Sequence, residues 1–108
     1  MKNMKKVRVL PGVCGLESVI TVESEDGMEA NVTVESACPA VRKMAEALEQ
    51  PLSAYEICFL KPGQGPVYAA AEQLAHAGCP VPAAVIKAVE AECGLALAKN
   101  ASIEFVEG

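Results

Sequence analysis

The chain has 108 residues, of which 52% are hydrophobic, and a formal net charge of −5. This length and apolar content predict one globular domain, residues 1–108, that can bury a core without disulfides or a structural metal. The acidic balance and an aromatic content of only 4% argue against a nucleic-acid-binding surface, which needs basic residues and stacking rings.

Alternating apolar and polar residues predict three strands in the first third of the chain. We place them at residues 5–10, 18–24 and 28–35. Residues 24–27, with the sequence Ser-Glu-Asp-Gly, predict a hairpin turn between the second and third strands. The reason is that Asp-Gly supplies the positive-φ positions that such a turn requires.

After the third predicted strand, the apolar residues no longer alternate with polar ones and instead recur at helical spacing. The first helix begins at Pro39, keeps its apolar residues on one face and is ended by Pro51. A second helix is predicted over residues 67–77, and a third from position 80 or 82 to position 93. Residues 52–60 fit either a short buried strand or a helical turn.

A last strand is predicted over residues 102–106. We pair it with the first strand, because Lys6 and Arg8 would then lie opposite Glu104 and Glu107. Together the elements predict an α+β, two-layer domain, in which a roughly four-stranded, mostly antiparallel sheet has about three helices on one face.

Cysteines that lie beside glycine or proline are the candidate functional residues of the sequence. Cys38 and Cys79 each precede a proline where a helix is predicted to begin, and Cys14 lies in a glycine-containing loop. Proline suits the first helical position, so both Cys-Pro cysteines are expected at or near an N-cap, where the helix dipole favours a thiolate. Cys58 and Cys93 lie in apolar patterns and are interpreted as core residues.

Three thiolates from separate segments can hold a zinc ion or an iron–sulfur cluster. We therefore expect Cys14, Cys38 and Cys79 to meet at one end of the sheet and form a metal or cofactor site. His76, three residues before Cys79, would complete a Cys₃His set suited to zinc, with Glu72 one helical turn earlier to orient the imidazole. The alternative is that His76 is an exposed residue in the last turn of its helix.

Two resemblances bear on these cysteines. The segment Cys79-Pro80-Val81-Pro82 resembles the Cys-Pro-x-Pro helix opening of small bacterial sulfur-carrier proteins of the tRNA-thiolation family, which implies that Cys79 carries a persulfide. The segment that begins at His76, together with Cys14-Gly15 and Cys38-Pro39, is similar to a family of small uncharacterised proteins from anaerobic prokaryotes. This second resemblance implies no particular activity.

Three functions stay open at this point, and the sequence does not decide whether the protein is an enzyme. The first is a module that binds a metal ion or cluster through Cys14, Cys38 and Cys79. The second is a sulfur carrier with its persulfide on Cys79 and Cys38 as a resolving thiol. The third is a domain that docks an unidentified protein or forms a homodimer through an exposed strand, with incidental cysteines.

The cysteine count also predicts a compartment. Five cysteines are an odd number, and no export signal accompanies them, so we expect reduced thiols in the cytoplasm. The apolar run after the charged residues 1–6 is too short for a signal peptide. No stretch of the sequence is long and apolar enough to span a membrane, so we expect no membrane partner.

Overall fold

A computed structural model of the chain describes residues 3–108. Residues 1 and 2 begin the charged segment that we weighed as a signal peptide, and they lie outside the described part. In residues 3–108 the strands form one sheet of order β1-β2-β3-β4, and each neighbouring pair is antiparallel. The predicted α+β class with a four-stranded antiparallel sheet is confirmed.

The three long strands lie close to their predicted positions. They are β1 at Asn3–Val9, β2 at Ser18–Ser24 and β3 at Glu29–Ser36. The turn between β2 and β3 is held by Asp26, whose Oδ1 accepts the N–H of Met28 at 2.9 Å and that of Glu29 at 3.0 Å. These two backbone hydrogen bonds hold the pKa of Asp26 below its usual 3.8.

Four α-helices are found in the described residues: α1 at Pro39–Ala47, α2 at Ala54–Ile57, α3 at Pro66–Ala70 and α4 at Val81–Glu92. The ambiguous stretch 52–60 contains both alternatives, because the two-residue strand β4, Leu52–Ser53, leads directly into α2. None of the helices in residues 3–108 is long and apolar enough to cross a membrane.

The predicted helix over residues 67–77 is wrong in its second half. After α3 the chain makes a single 3₁₀ turn at Ala71–Gln73, and Leu74 then takes an extended conformation with ψ of 147°. Leu74 packs partly buried against the core, so tertiary packing turns its side chain inward at a point where the alanine-rich sequence alone favours helix.

The predicted last strand is also wrong. Residues 102–106 have no strand conformation, and β4 is the fourth strand of the sheet instead. The prediction depended on opposite charges at exposed positions. Such pairs contribute at most about 1 kcal/mol each, which is too little on its own to hold the segment against the edge of β1.

The core lies between one face of the sheet and the helices. Alternate residues of β2 and β3 point inward, and their neighbours on the opposite face are more exposed. Aliphatic side chains from every layer fill this space; the most completely buried include Ile20, Val22, Met44, Val85 and Val89. Helix α4 packs against β1 and β2, and α1 packs against β3.

A buried carboxylate fixes α4 to the sheet. The Glu92 side chain is 0% exposed and its Oε1 lies 3.4 Å from Lys5 Nζ, while its Oε2 accepts the backbone N–H of Ser24 at 3.2 Å. The last turn of α4 therefore lies where β1 begins and β2 ends. Since the helix rises 1.5 Å per residue, its first residue, Val81, is about 17 Å away from Glu92.

Candidate thiol site

Cys38 is the N-cap residue of α1, as its position before Pro39 predicts. Its backbone N–H donates to Ser36 Oγ at 3.0 Å, and its carbonyl accepts the N–H of Arg42 at 3.1 Å in the first helical hydrogen bond. The thiol makes no capping hydrogen bond. Cys38 is partly buried against the core, which leaves its sulfur with limited access to solvent.

Cys14 is an exposed residue in the loop that joins β1 to β2. A turn in this loop is closed by the N–H of Gly15, which donates to the Gly12 carbonyl at 2.9 Å. Strand register places the loop and Cys38 at the same end of the sheet, because Val9 pairs with Ser18 and Ser18 pairs with Ser36. Two of the three predicted ligands thus share one end.

Cys79 lies one residue before the N-cap of α4, which is Pro80. It is near the helix start, as predicted, but the cap itself is the proline. The N–H of Cys79 donates to the carbonyl of His76 at 3.2 Å, so the two residues are the ends of one tight turn. The predicted helical setting of His76 is therefore wrong. The His-x-x-Cys spacing reflects a turn, and Glu72 is not one helical turn before His76.

Cys79 lines an open groove with a volume of about 470 Å³. Its lining residues come from α3, the 3₁₀ turn, the His76–Cys79 turn and the start of α4. Cys79 itself is partly buried, whereas His76 and Glu72 are exposed. The side chains that line the groove with it include Tyr68, Glu72, Leu74, His76 and Pro82.

A second hollow, of about 230 Å³, adjoins the first and includes Cys58 in its lining. Tyr68 and Ala83 line both hollows, so they form the boundary between them. Burial, with smaller contributions from Glu90 and Cys93, raises the pKa of the Cys58 thiol to about 11. At neutral pH this cysteine is a protonated, weakly nucleophilic thiol.

Cys93 is the C-cap residue of α4, about 20 Å along the helix from Cys79. Burial raises its pKa, a hydrogen bond with the Ser24 side chain lowers it, and the charges of Glu92 and Asp26 raise it again. Cys58 and Cys93 both pack against the core. The geometry agrees with the interpretation of these two residues as structural, although neither is fully buried.

All five cysteines are free thiols. Residues 3–108 contain no group of three or more His, Cys, Asp or Glu side chains that could hold a metal ion. The structure therefore does not assemble Cys14, Cys38 and Cys79, with or without His76, as one set of ligands. The structure does bring two of these residues together, because His76 and Cys79 share a turn and line the same groove.

Sequence reasoning missed Tyr68 and the groove itself. Tyr68 follows Val67, the first buried residue of α3, and nothing in its local pattern distinguishes it from an ordinary flanking residue. The groove exists because the chain leaves helical conformation at Leu74 and passes through the His76–Cys79 turn before α4. The one available signal was Gly78, which favours a turn directly before Cys79.

The chain matches, over residues 5–105, the model of a family described as a family of unknown function (DUF6951), and it belongs to that family. The comparisons with curated proteins and with solved structures found no match. The expected membership of an uncharacterised family is confirmed.

Proposed function

We propose that this member of the family is a small thiol carrier that accepts a sulfur atom on Cys79 and passes it to a partner. The observation that carries the proposal is the position of Cys79 in the wall of the larger groove. At this position Cys79 is partly buried, which shields it from bulk solvent, and a partner can still reach it through the open groove. The N-terminus of α4 follows immediately, and the positive end of a helix stabilises an anionic sulfur.

The chemistry is the transfer of one sulfur atom between thiols. The Cys79 thiolate attacks the outer sulfur of a donor persulfide and a new sulfur–sulfur bond forms on Cys79. The sulfur–sulfur bond of the donor breaks, and the donor leaves as a thiol after it takes up a proton. The number of persulfide sulfurs is unchanged, so no separate oxidant or reductant is needed.

His76 is the residue best placed to handle the proton in this step. It shares the turn and the groove with Cys79, and imidazole accepts and releases protons near neutral pH. We expect His76→Gln to slow sulfur uptake by about tenfold or more.

The other cysteines have poorer settings for this role. Burial raises the pKa of both Cys58 and Cys93, so their thiolates are scarce at neutral pH. Cys14 is exposed in a loop and lines neither hollow, so it would not shield a persulfide from other thiols. Cys38, partly buried at the N-cap of α1, is the candidate for the resolving thiol.

Two other functions enter the test as alternatives. Zinc or iron–sulfur binding through Cys14, Cys38 and Cys79 would require these thiols to converge, and residues 3–108 hold no such group. In a domain that only binds another protein, none of the thiols would react or bind a metal. Five free cysteines fit the reducing cytoplasm in which we place the protein.

The test is to treat the reduced protein with a small-molecule persulfide, cap it with an alkylating agent and cleave after glutamate. Because Glu72 and Glu90 flank it, Cys79 is released in the fragment 73–90 as its only cysteine. We expect this fragment to gain the mass of one sulfur atom. Cys79→Ser should abolish the uptake, and Cys14→Ser, the matched control, should leave it intact.

Metal and sulfide analysis of anaerobically purified protein distinguishes the alternatives. A stoichiometric metal content that is lost in both Cys14→Ser and Cys79→Ser would favour the metal site over the carrier. Sulfur spread evenly over all five cysteine fragments would mean that Cys79 is not a special thiol. Either result would overturn the proposal.

A further inference from the structure

The two edges of the sheet differ in how far their backbone groups are hydrogen-bonded. On the outer side of β3, Glu29 and Ala30 pair with β4. Farther along, the Gln50 side chain continues the pairing. Its Oε1 accepts the Val32 N–H at 2.6 Å and its Nε2 donates to the Val32 carbonyl at 2.7 Å. β1 pairs with β2 alone among residues 3–108, so its outer edge presents free backbone groups.

A strand-like segment without a strand partner lies after α4. Residues 102–106 have the sequence Ser-Ile-Glu-Phe-Val, rich in the β-branched and aromatic residues that favour strands. Ile103 is 94% exposed, Phe105 107% and Val106 84%. Apolar side chains that are fully exposed to water are energetically unfavourable. A cluster of them in one short segment is typical of a segment that docks on another surface.

The segment and the edge of β1 match in both pattern and charge. In β1, Val7 and Val9 are on the covered face and Lys6 and Arg8 are exposed on the other. A strand made by residues 102–106 would put its two alternate apolar residues, Ile103 and Phe105, beside the covered face. Its acidic Glu104 would then lie on the same face as the two basic residues, where opposite charges favour cross-strand pairing.

The direction of the chain makes this pairing awkward within one molecule. Glu92 ties the last turn of α4 to Lys5 and Ser24, at the point where β1 begins. A segment that leaves from there and follows β1 directly would run parallel to it. Antiparallel pairing, which is slightly more stable, would need residues 94–101 to cross the full length of the sheet first. Residues 95 and 96 are held at the end of α4, because their N–H groups donate to the Glu90 carbonyl at 2.8 and 3.2 Å. The remaining residues 97–101 span about 17 Å when fully extended, which is shorter than the roughly 23 Å of the seven residues of β1.

We propose that residues 102–106 of one copy form a fifth, antiparallel strand on the β1 edge of a second copy, and that the exchange is reciprocal. A two-fold axis between the copies would let each segment pair with the other copy's edge in the antiparallel direction. The arrangement is closed, because both free edges and both apolar segments are used. It also covers the edge of β1 with a shorter, five-residue strand, and short edge strands are less prone to aggregation.

The test is sedimentation equilibrium of the full chain over a range of concentrations, with wild type expected as a dimer. Ile103→Lys should raise the dimer dissociation constant by about tenfold or more, since it removes a buried aliphatic side chain and adds a charge. The matched control is Leu97→Lys, another exposed aliphatic residue after α4 that lies outside the pairing segment, and it should leave dimerisation unchanged. Both sites are exposed, so neither change should unfold the protein.

A charge exchange identifies the edge that is used. Lys6→Glu alone should weaken the dimer, and Lys6→Glu combined with Glu104→Lys should restore it. Wild type that stays monomeric at every concentration would overturn the proposal. So would a monomer whose residues 102–106 are protected from hydrogen exchange, because that result means that the segment docks on its own chain. Equal effects of Ile103→Lys and Leu97→Lys would also contradict it.

Discussion

Replacing Glu92 by alanine should destabilise the protein by about 3 kcal/mol. The change removes a charge-assisted hydrogen bond to the buried Ser24 N–H, worth about 1.5–3 kcal/mol. It also removes the ion pair with Lys5, whose side chain is 39% exposed, so that this part contributes at most about 1 kcal/mol. The two contributions differ because only the first leaves a buried donor without a partner.

Urea unfolding followed by circular dichroism measures the effect. With a slope of about 2 kcal/mol per molar urea, the midpoint of Glu92→Ala should fall by about 1.5 M. Glu92→Gln keeps a carbonyl acceptor for Ser24 and should lose only about 1 kcal/mol. Glu107→Ala removes an exposed carboxylate outside the residues 102–106 and is the control, with a change within about 0.5 kcal/mol.

Equal destabilisation by Glu92→Gln and Glu92→Ala would contradict this prediction. In that case the charge, and not the hydrogen bond to Ser24, would hold the end of α4. A loss of less than 1 kcal/mol in Glu92→Ala would mean that the contact contributes little. A double-mutant cycle with Lys5→Ala isolates the ion pair, and its coupling energy should be about 1 kcal/mol or less.

Two further predictions concern the other edge of the sheet and the second hollow. Gln50→Ala should cost about 1–2 kcal/mol in unfolding free energy, because it removes both hydrogen bonds to Val32. Glu49→Ala, at the neighbouring exposed position, should cost nothing measurable, and equal effects would show that the Gln50 contacts are not made. Since burial raises the pKa of Cys58 from 9.0 to about 11, the unfolded chain loses this proton first. Stability should therefore fall as the pH rises between those two values. In Cys58→Ala that part of the pH dependence should be absent, and an unchanged profile would contradict the assignment.

The hairpin could be predicted because its information is local. Strand alternation fixes which face of β2 and β3 is covered, and Asp26-Gly27 marks the turn between them. The expected positive φ is found at Gly27 and not at Asp26, which holds the turn by accepting two backbone N–H groups instead. The start of α4 was predictable for the same reason, since two prolines near position 81 restrict where the helix can begin. Such features depend on neighbours in the sequence, so they need no knowledge of distant contacts.

The parts that failed depend on contacts between distant segments. Leu74 leaves the helix because the core offers its side chain a place, and this moves His76 from a helix into a turn. Gln50 continues the sheet through its side chain, which no alternation of apolar residues reveals. The predicted convergence of Cys14, Cys38 and Cys79 needed a spatial arrangement that residue types alone do not specify. Strand register does put the first two at one end of the sheet.

The most direct test of the account is the sulfur content of Cys79 in protein isolated from its own cells under alkylating conditions. Cleavage after glutamate separates all five cysteines into different fragments, so each can be compared with the others without added donor. We expect an extra sulfur atom on the fragment 73–90, in an amount well above that on the fragment with Cys14. Absence of extra sulfur from 73–90, or equal amounts on all five fragments, would contradict this expectation.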